Sequence, residues 1–200
     1  MSGLSLNFVA TRENRATDGL LKFLSAADLW EGFGMELEEM ITRQGILDAL
    51  ASYCRALDRM DGELFDGLWH AAAVIDYAGL YQGDAVGLRK YLWETHALMA
   101  IHSHQIGNVK IECDGEHVAS EAYVTVSLWT LPDELGAQVE VVSRGRYLDR
   151  WVREGSSLRI RERVHIADMQ SFRTLSSGRT DSGVARDRSD RSYQFLEPGA

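Results

Sequence analysis

The sequence of 200 residues is poor in cysteine and proline, with two of each, and it has no long apolar run. Cys54 and Cys113 do not form a C-x-x-C pair, so the sequence predicts neither a disulfide framework nor a zinc site. Both thiols are expected to be buried small hydrophobic groups. A membrane-spanning helix needs about 20 consecutive apolar residues. Because the N-terminus also lacks the basic and apolar segments of a secretory signal, we expect a cytoplasmic protein with no membrane partner.

The motifs of several enzyme classes are missing as well. No G-x-G-x-x-G pattern or phosphate-binding loop is present, and no G-x-S-x-G elbow, so neither a nucleotide cofactor nor a serine nucleophile is expected. Acidic residues outnumber basic ones by 30 to 21, which gives a formal net charge of −9. Nucleic acids and anionic membranes require a positive face, so we expect no nucleic-acid partner.

The chain divides into three segments by composition. Residues 1–39 are expected to form an N-terminal arm with a helix starting at Ser25. Residues 40–172 are expected to form one domain with a hydrophobic core. Residues 173–200 are dense in Ser, Arg, Asp and Gly, and we expect a tail that is flexible or contacts a partner subunit.

Helical periodicity dominates the first half of the domain. Apolar residues from Met40 to Asp58 recur every three or four positions, which predicts a helix with one buried stripe that ends at Asp58. Asp61 is a good N-cap for a second helix that is predicted to run through Trp69. Asp84 is predicted to cap a third helix.

After residue 100 the period changes from about 3.6 to 2. Four long strands are predicted in this part of the chain: His102 to Cys113, His117 to Leu131, Val139 to Val152 and Leu158 to Phe172. A short strand at Val74 to Tyr77 and a glycine-bounded turn at Gly79 to Gly83 are predicted before them. Helices followed by strands indicate an α+β fold, in which a curved antiparallel sheet wraps around the helices and leaves a cavity for a small apolar molecule. Such a sheet leaves an apolar outer face, so a homodimer or homotrimer is expected.

Asp58 and His104 are the candidate catalytic pair. A carboxylate that meets an imidazole fixes its tautomer and stabilises its protonated form, which makes a proton-transfer device. The end of a helix is an unfavourable place for Asp58, because the helix dipole favours cations there. The alternative for Asp58 is a hydrogen bond from the turn that follows, Arg59 to Gly62.

The other histidines have alternatives of their own. His102 and His104 are spaced to hold a metal with a carboxylate, but no third ligand stands at a diagnostic spacing, so no metal is expected. His70, His96 and His117 are expected at helix ends, helix surfaces or turns. His165 either lines the mouth of the cavity or faces solvent.

Four stretches, taken in order, resemble the SnoaL-like group of the nuclear transport factor 2 (NTF2-like) superfamily. They are Ile46 to Asp61 (ILDALASYCRALDRMD), Phe65 to Gly83, the HxxxN pattern from His104 to Asn108, and Gly145 to Asp168 (GRYLDRWVREGSSLRIRERVHIAD). The resemblance implies a cone-shaped α+β barrel of the cystatin type with a deep apolar pocket. In dehydratase-like members an Asp at the end of the first helix pairs with a His on the strand after the third helix. Asp58 and His104 match those positions.

A donor near the leaving group and apolar walls would complete such a site. Side chains two apart in a strand share a face, so His102 and Asn108 are expected beside His104. The resemblance implies that Arg163 and Asp168 are structural charges held by partners, with substrate binding as the alternative. The expected substrate-binding residues are Tyr53, His102, Asn108, Tyr123, Trp129 and Tyr147, with core packing as the alternative for Trp129.

The sequence and the resemblance together predict a cofactor-independent lyase of aromatic compound catabolism. His104 would remove a proton from a hydrophobic cyclic or aromatic molecule, and Asp58 would orient the imidazole. Elimination of water is the leading reaction, release of a small fragment such as formaldehyde is the second, and isomerase or cyclase chemistry stays open. The alternative is a non-catalytic small subunit of an aromatic-ring dioxygenase, or a ligand-binding module.

Overall fold

The computed structural model describes residues 37–175 and 184–196, which all fall within the unit Glu36–Ala200. Most of the predicted N-terminal arm, including the helix at Ser25, lies outside the described residues. No helix of the described part is long and apolar enough to cross a membrane. The described helices are α1 (Leu37–Asp58), α2 (Gly62–Asp66), α3 (Ala85–His96) and α4 (Arg191–Leu196).

The helix boundaries follow the capping residues. Asp61 accepts a hydrogen bond from Leu64 N at 3.1 Å, and Asp84 accepts one from Gly87 N at 2.8 Å, so both predicted N-caps are confirmed. The second helix is shorter than predicted because it ends at Asp66, and Trp69 already starts a strand. Aromatic residues are common in strands, and the short-range periodicity around Trp69 did not distinguish a strand from the end of a helix.

Six strands form one open, curved sheet: β1 (Trp69–Tyr77), β2 (Tyr81–Gly83), β3 (Met99–Asp114), β4 (His117–Thr130), β5 (Gln138–Glu154) and β6 (Ser157–Leu175). Their order in the sheet is β2-β1-β6-β5-β4-β3.

The four long strands, β3 to β6, were predicted to within three residues at each end. The prediction of an antiparallel sheet is wrong at one place, because β1 pairs with β6 in parallel. The turn predicted at Gly79 to Gly83 contains the short strand β2.

The core lies between α1 and the inner face of the sheet. The buried stripe of α1 includes Ile46, Leu50 and Tyr53, all fully buried, as the apolar spacing predicts. Aromatic rings fill the centre: Tyr53 packs edge-on against Tyr147 with ring centroids 5.5 Å apart, and against Trp69 at 6.0 Å. The middle of the cone is therefore packed with side chains, and the candidate pair lies toward one end of it.

Candidate active site

Asp58 and His104 meet across the interface between α1 and β3. Oδ1 of Asp58 lies 2.7 Å from Nδ1 of His104. The same carboxylate also accepts the backbone N–H of His104, at 3.2 Å from Oδ1 and 3.1 Å from Oδ2. Only 3% of the His104 side chain and 16% of the Asp58 side chain are exposed. The contact that was predicted from residues 46 positions apart in the chain is thus present.

Backbone geometry at the end of α1 turns the carboxylate toward His104. Asp61 N donates to Ala56 O at 2.9 Å, and Met60 N donates to Leu57 O at 3.3 Å. Met60 has φ 51°, so these bonds form a Schellman closure with a methionine where glycine is usual. Because backbone groups close the turn by themselves, the Asp58 side chain is available for β3. The alternative in which Asp58 only accepts from its own turn is therefore wrong.

The hydrogen bond to Asp58 determines which ring nitrogen of His104 is available for chemistry. A carboxylate accepts the Nδ1 proton, so Nε2 carries the lone pair in the neutral ring. Among the described residues, Nε2 has no hydrogen-bond partner. A buried imidazole in this tautomer is a proton acceptor whose protonated form the adjacent carboxylate stabilises.

A cleft of about 370 Å³ opens beside the pair. Asp58 and His104 are part of its wall, and two arginines, Arg55 and Arg59, stand at the end of α1 around it. Neither arginine was predicted as a site residue, although their spacing of four at a helix end indicates a shared face. The complete lining is Ala51, Cys54, Arg55, Asp58, Arg59, His104 and Ile106. Burial raises the pKa of the Cys54 thiol to about 12, so it is neutral at physiological pH.

Tyr53 and Tyr147 lie in the core and not on the wall of this cleft. Both are fully buried, and burial raises the pKa of each phenol well above its usual value. The Tyr147 hydroxyl is 3.3 Å from that of Tyr77, whereas the Tyr53 hydroxyl has no hydrogen-bond partner among the described residues. A substrate could contact these two tyrosines, as predicted, if the packed core opened to admit it.

Tyr123 and Trp129 lie on the face of the sheet opposite to His104. His104 pairs directly with Val126, and side chains two apart share a face, so odd-numbered residues of β4 point outward. Tyr123 is 49% exposed, and Trp129 donates to Glu140 at 3.1 Å. The structure does not bring these two predicted substrate-binding residues to the pair.

Asn108 is also separated from His104, by a β-bulge. The pairing with β4 shifts between Ile106 and Val109, so Gly107 and Asn108 together oppose one residue. A bulge reverses the alternation of faces beyond it, and Ile111 is buried where strict alternation would expose it. The prediction that Asn108 shares the face of His104 is therefore wrong.

His102 is on the predicted face and is tied by protein partners. It is 7% exposed, with Nδ1 3.3 Å from Leu57 O and Nε2 2.9 Å from a guanidinium nitrogen of Arg186. Burial lowers the pKa of His102, and the Arg186 charge lowers it further. Both ring nitrogens are engaged, so His102 has no hydrogen left to donate to a substrate.

Two further histidines have lowered pKa values: His96, which is buried, and His165, which is half-buried. His96, expected on a helix surface, is 4% exposed, and its ring lies 4.3 Å from that of His102 and 5.7 Å from that of His104. Burial, with the neighbouring histidines, lowers its pKa to about 2. His165 packs 4.4 Å from the Tyr77 ring, and burial lowers its pKa to about 4. Among the described residues, no three His, Cys, Asp or Glu side chains are grouped to hold a metal ion.

The charges of the last strand are held by partners, as expected. Arg163 is fully buried and forms a two-point contact with Asp149, at 2.6 Å and 2.7 Å. Its guanidinium carbon stands 4.1 Å above the Tyr53 ring and 4.3 Å above that of Tyr147. Asp168 binds Arg146 through two bonds of 3.0 Å.

The matched region of the sequence, residues 38–164, corresponds to the SnoaL-like domain. The chain belongs to this family. No curated protein matches the chain. The SnoaL-like match contains all of β3 and all of α1 except its first residue, so both members of the Asp58–His104 pair lie within it.

Solved structures of low sequence identity share the fold. A hexachlorocyclohexane dehydrochlorinase, LinA type 2, superimposes with a TM-score of 0.61 at 16% identity over 75% of this chain and 100% of its own. A protein assigned as a scytalone dehydratase from Novosphingobium aromaticivorans gives 0.59 at 16% identity over 71% of this chain and 97% of its own. A protein assigned as the β subunit of an aromatic-ring-hydroxylating dioxygenase from the same organism gives 0.52 at 20% identity over 74% and 97%. Proteins described as a dehydrochlorinase, a dehydratase and a dioxygenase β subunit thus share this fold.

Proposed function

We propose that this SnoaL-like protein is a cofactor-independent lyase that uses His104 as its base. The observation that carries the proposal is the Asp58 contact: the carboxylate accepts from Nδ1 and from the backbone N–H of the same residue. Two bonds to one residue hold the ring in place and leave Nε2 without a partner in the described part of the chain. Preorganisation of this kind is what a general base requires.

The proposed reaction is an elimination of water in which His104 carries a proton from a carbon atom to the leaving oxygen. Nε2 of His104 takes a proton from a carbon next to the carbon that carries the leaving group. The C–H electron pair becomes the new double bond, and the bond to the leaving hydroxyl breaks. The leaving oxygen takes the proton from the His104 imidazolium and departs as water, which restores the neutral ring. Asp58 stabilises the imidazolium that forms between the two proton transfers.

The cleft favours a substrate with an apolar body and an oxygen substituent. Ala51, Cys54 and Ile106 provide apolar surface, whereas Arg55 and Arg59 provide positive charge where negative charge develops on the leaving oxygen. Aromatic, steroidal and lignin-derived alcohols have this combination. Dehydration is the first reaction to test, and release of formaldehyde by the same base is the second.

The test is turnover of a panel of such alcohols by the native protein and by the His104→Ala variant. We expect one or more alcohols to be consumed by the native protein. We expect the variant to lose at least about 10² in kcat/KM, because general-base help is worth about 10² to 10⁴. Product release is followed by chromatography, with mass detection for water or formaldehyde loss.

The matched control is His117→Ala, the same substitution at an exposed histidine on β4. It should keep native turnover. If His104→Ala consumes every substrate at the native rate, the assignment of the base is wrong. If no alcohol is consumed by the native protein, the lyase proposal fails for this substrate class.

The packed centre of the domain favours one competing role, that of a non-catalytic subunit. Tyr53, Tyr147 and Arg163 leave no exposed surface in the middle of the cone. A dioxygenase β subunit has a similar fold. Stable co-purification with a Rieske-type large subunit, together with no loss of that complex's activity in His104→Ala, would support this role over the lyase.

A further inference from the structure

The segment of residues 184–196 packs around the candidate pair. It lies beyond residue 164, where the SnoaL-like match ends, and so is an addition to the family domain. Arg186 contacts His102 on β3, two residues before His104. Asp190 forms a 3.3 Å ion pair with Arg59, the residue after Asp58. Ser192 accepts a hydrogen bond from Arg55 at 2.9 Å. One short segment therefore contacts both elements that carry the pair.

Arg186 is the member of this segment that reaches deepest. Its Nη1 donates to His96 O at 2.9 Å, to Met99 O, and to Nε2 of His102 at 2.9 Å. The two hydrogens of Nη1 are shared among these three acceptors. A guanidinium at the last carbonyls of α3 also complements the negative end of the helix dipole.

The bond from Arg186 determines the tautomer of His102. Nε2 of His102 lies 3.2 Å from His96 O and 2.9 Å from Nη1 of Arg186. A guanidinium only donates, so the shorter contact makes Nε2 an acceptor and places the ring proton on Nδ1. That proton points to Leu57 O at 3.3 Å. Leu57 precedes Asp58 in the last turn of α1, where helix carbonyls lack helical partners. Arg186 thereby orients His102, and His102 binds the turn that carries the catalytic carboxylate.

We propose that Arg186 is a positioning residue for the Asp58–His104 pair, acting through His102, and that residues 184–196 support α1 and β3, the elements that carry the pair. The proposal deepens the lyase function and rests on it for its kinetic consequence. Arg186 does not line the cleft itself, so its effect is on the geometry of the base and not on substrate contacts. Displacement of catalytic groups by about 1 Å can cost about 10² in rate.

The first measurement needs no substrate. Proton NMR of the native protein should show a downfield, slowly exchanging signal from Nδ1–H of His104, assigned by its loss in His104→Ala. Nitrogen-15 spectra of the rings should show His102 with its proton on Nδ1. In Arg186→Ala we expect the His104 signal to broaden and the His102 ring to lose its single tautomer. Arg191→Ala removes an exposed arginine from the same segment and should leave both signals unchanged.

The second measurement uses whichever alcohol the native protein consumes. Arg186→Ala should lower kcat by about tenfold or more with little change in KM, because positioning and not binding is affected. Guanidinium chloride, added below the concentrations that unfold the protein, should restore part of the rate and the His104 signal. Arg186→Lys should retain more of the rate than Arg186→Ala, because all three contacts of Arg186 come from one nitrogen and an ammonium also has three hydrogens on one nitrogen.

The outcomes separate the two proposals. Native NMR signals and native kcat in Arg186→Ala would overturn the positioning role, even if His104→Ala is inactive. Loss of the His104 signal in Arg186→Ala would support the positioning of the pair. If His104→Ala is fully active at the same time, the lyase mechanism fails and the structural role of Arg186 stands.

Discussion

Two acid-base pairs of this protein stand in contrasting surroundings. Arg163 and Asp149 are both without exposure and lie among the Tyr53, Trp69 and Tyr147 rings. Asp58 and His104 are also largely buried, but they border a cleft. The partner in the first pair is a guanidinium, which stays protonated in proteins, whereas the partner in the second is an imidazole, which can accept and donate a proton. Both pairs are thus buried, and of the two the Asp58–His104 pair is the one that has access to a cleft.

The electrostatics of the central pair support its structural role. Burial opposes the charge of Arg163, yet the Asp149 carboxylate and its hydrogen bonds raise the pKa of Arg163 above its ordinary value. Nη1 of Arg163 has no hydrogen-bond partner in the described part of the chain, and aromatic faces surround the group instead. The Arg163 guanidinium is therefore held in the core by Asp149 and by the aromatic rings that pack against it.

The largest expected effect is on stability, from removing one partner of the central pair. Asp149→Ala should lower the free energy of unfolding by about 3 to 5 kcal/mol, because it leaves a buried guanidinium uncompensated. Urea unfolding measures this loss. The double variant Asp149→Leu with Arg163→Met should recover much of it, since apolar residues often replace a buried pair without loss. A small effect of Asp149→Ala would show that the centre is more hydrated than its packing indicates.

The next effect is on activity, from a change of charge in the pair at the cleft. Asp58→Asn keeps the shape of the side chain but cannot stabilise an imidazolium, so kcat/KM should fall by about 10². The unfolding free energy should change by only about 1 kcal/mol. Steady-state kinetics and urea unfolding of the same samples separate the two quantities.

Asp48→Asn is the matched control for this test, since Asp48 is an exposed acid on the same helix. It should leave kcat/KM unchanged. A native rate in Asp58→Asn would remove the functional contrast between the two pairs.

The smallest effect for a single residue is the pH dependence of stability that His96 and His165 impose. The pKa of His96 is lowered to about 2 and that of His165 to about 4, mainly by burial. The unfolded chain then binds more protons than the folded one below about pH 6.5, so stability falls as pH falls. Each histidine should contribute about 2 kcal/mol of this loss between about pH 7 and about pH 5.

Urea unfolding at several pH values in this window tests the pH dependence. The window lies above the region in which carboxylates with lowered pKa, such as Asp190, take up protons. His96→Gln should flatten the dependence, and His117→Gln should not. A flat profile for the native protein would mean that these histidines are more hydrated than the fold indicates.

Much of the fold could be predicted from local patterns. The α1 stripe, the N-caps Asp61 and Asp84 and the four long strands all follow from spacing, because each depends on neighbours in sequence. Features that depend on partners distant in the chain were missed. The parallel pairing of β1 with β6 and the bulge before Val109 are two of them.

The candidate site shows the same division. Asp58 and His104 could be found from residue type, position at element ends and the family resemblance. Asn108, Tyr123 and Trp129 could not be placed, since one bulge or one choice of sheet face moves a side chain to the opposite side. Arg186 carried no signal in the sequence, because its role arises only when the C-terminal segment folds back on α3 and β3.

The sequence by itself determined where the helices and long strands form, because hydrophobic period and capping act within a few residues. It also supplied the acid and the imidazole. Only the tertiary structure decided which residues face the pair, because strand register, the Met60 turn and the packing of residues 184–196 are set by contacts between distant segments. It likewise decided that tyrosines and Arg163 fill the centre, since packing density, and not composition, determines where a cavity remains.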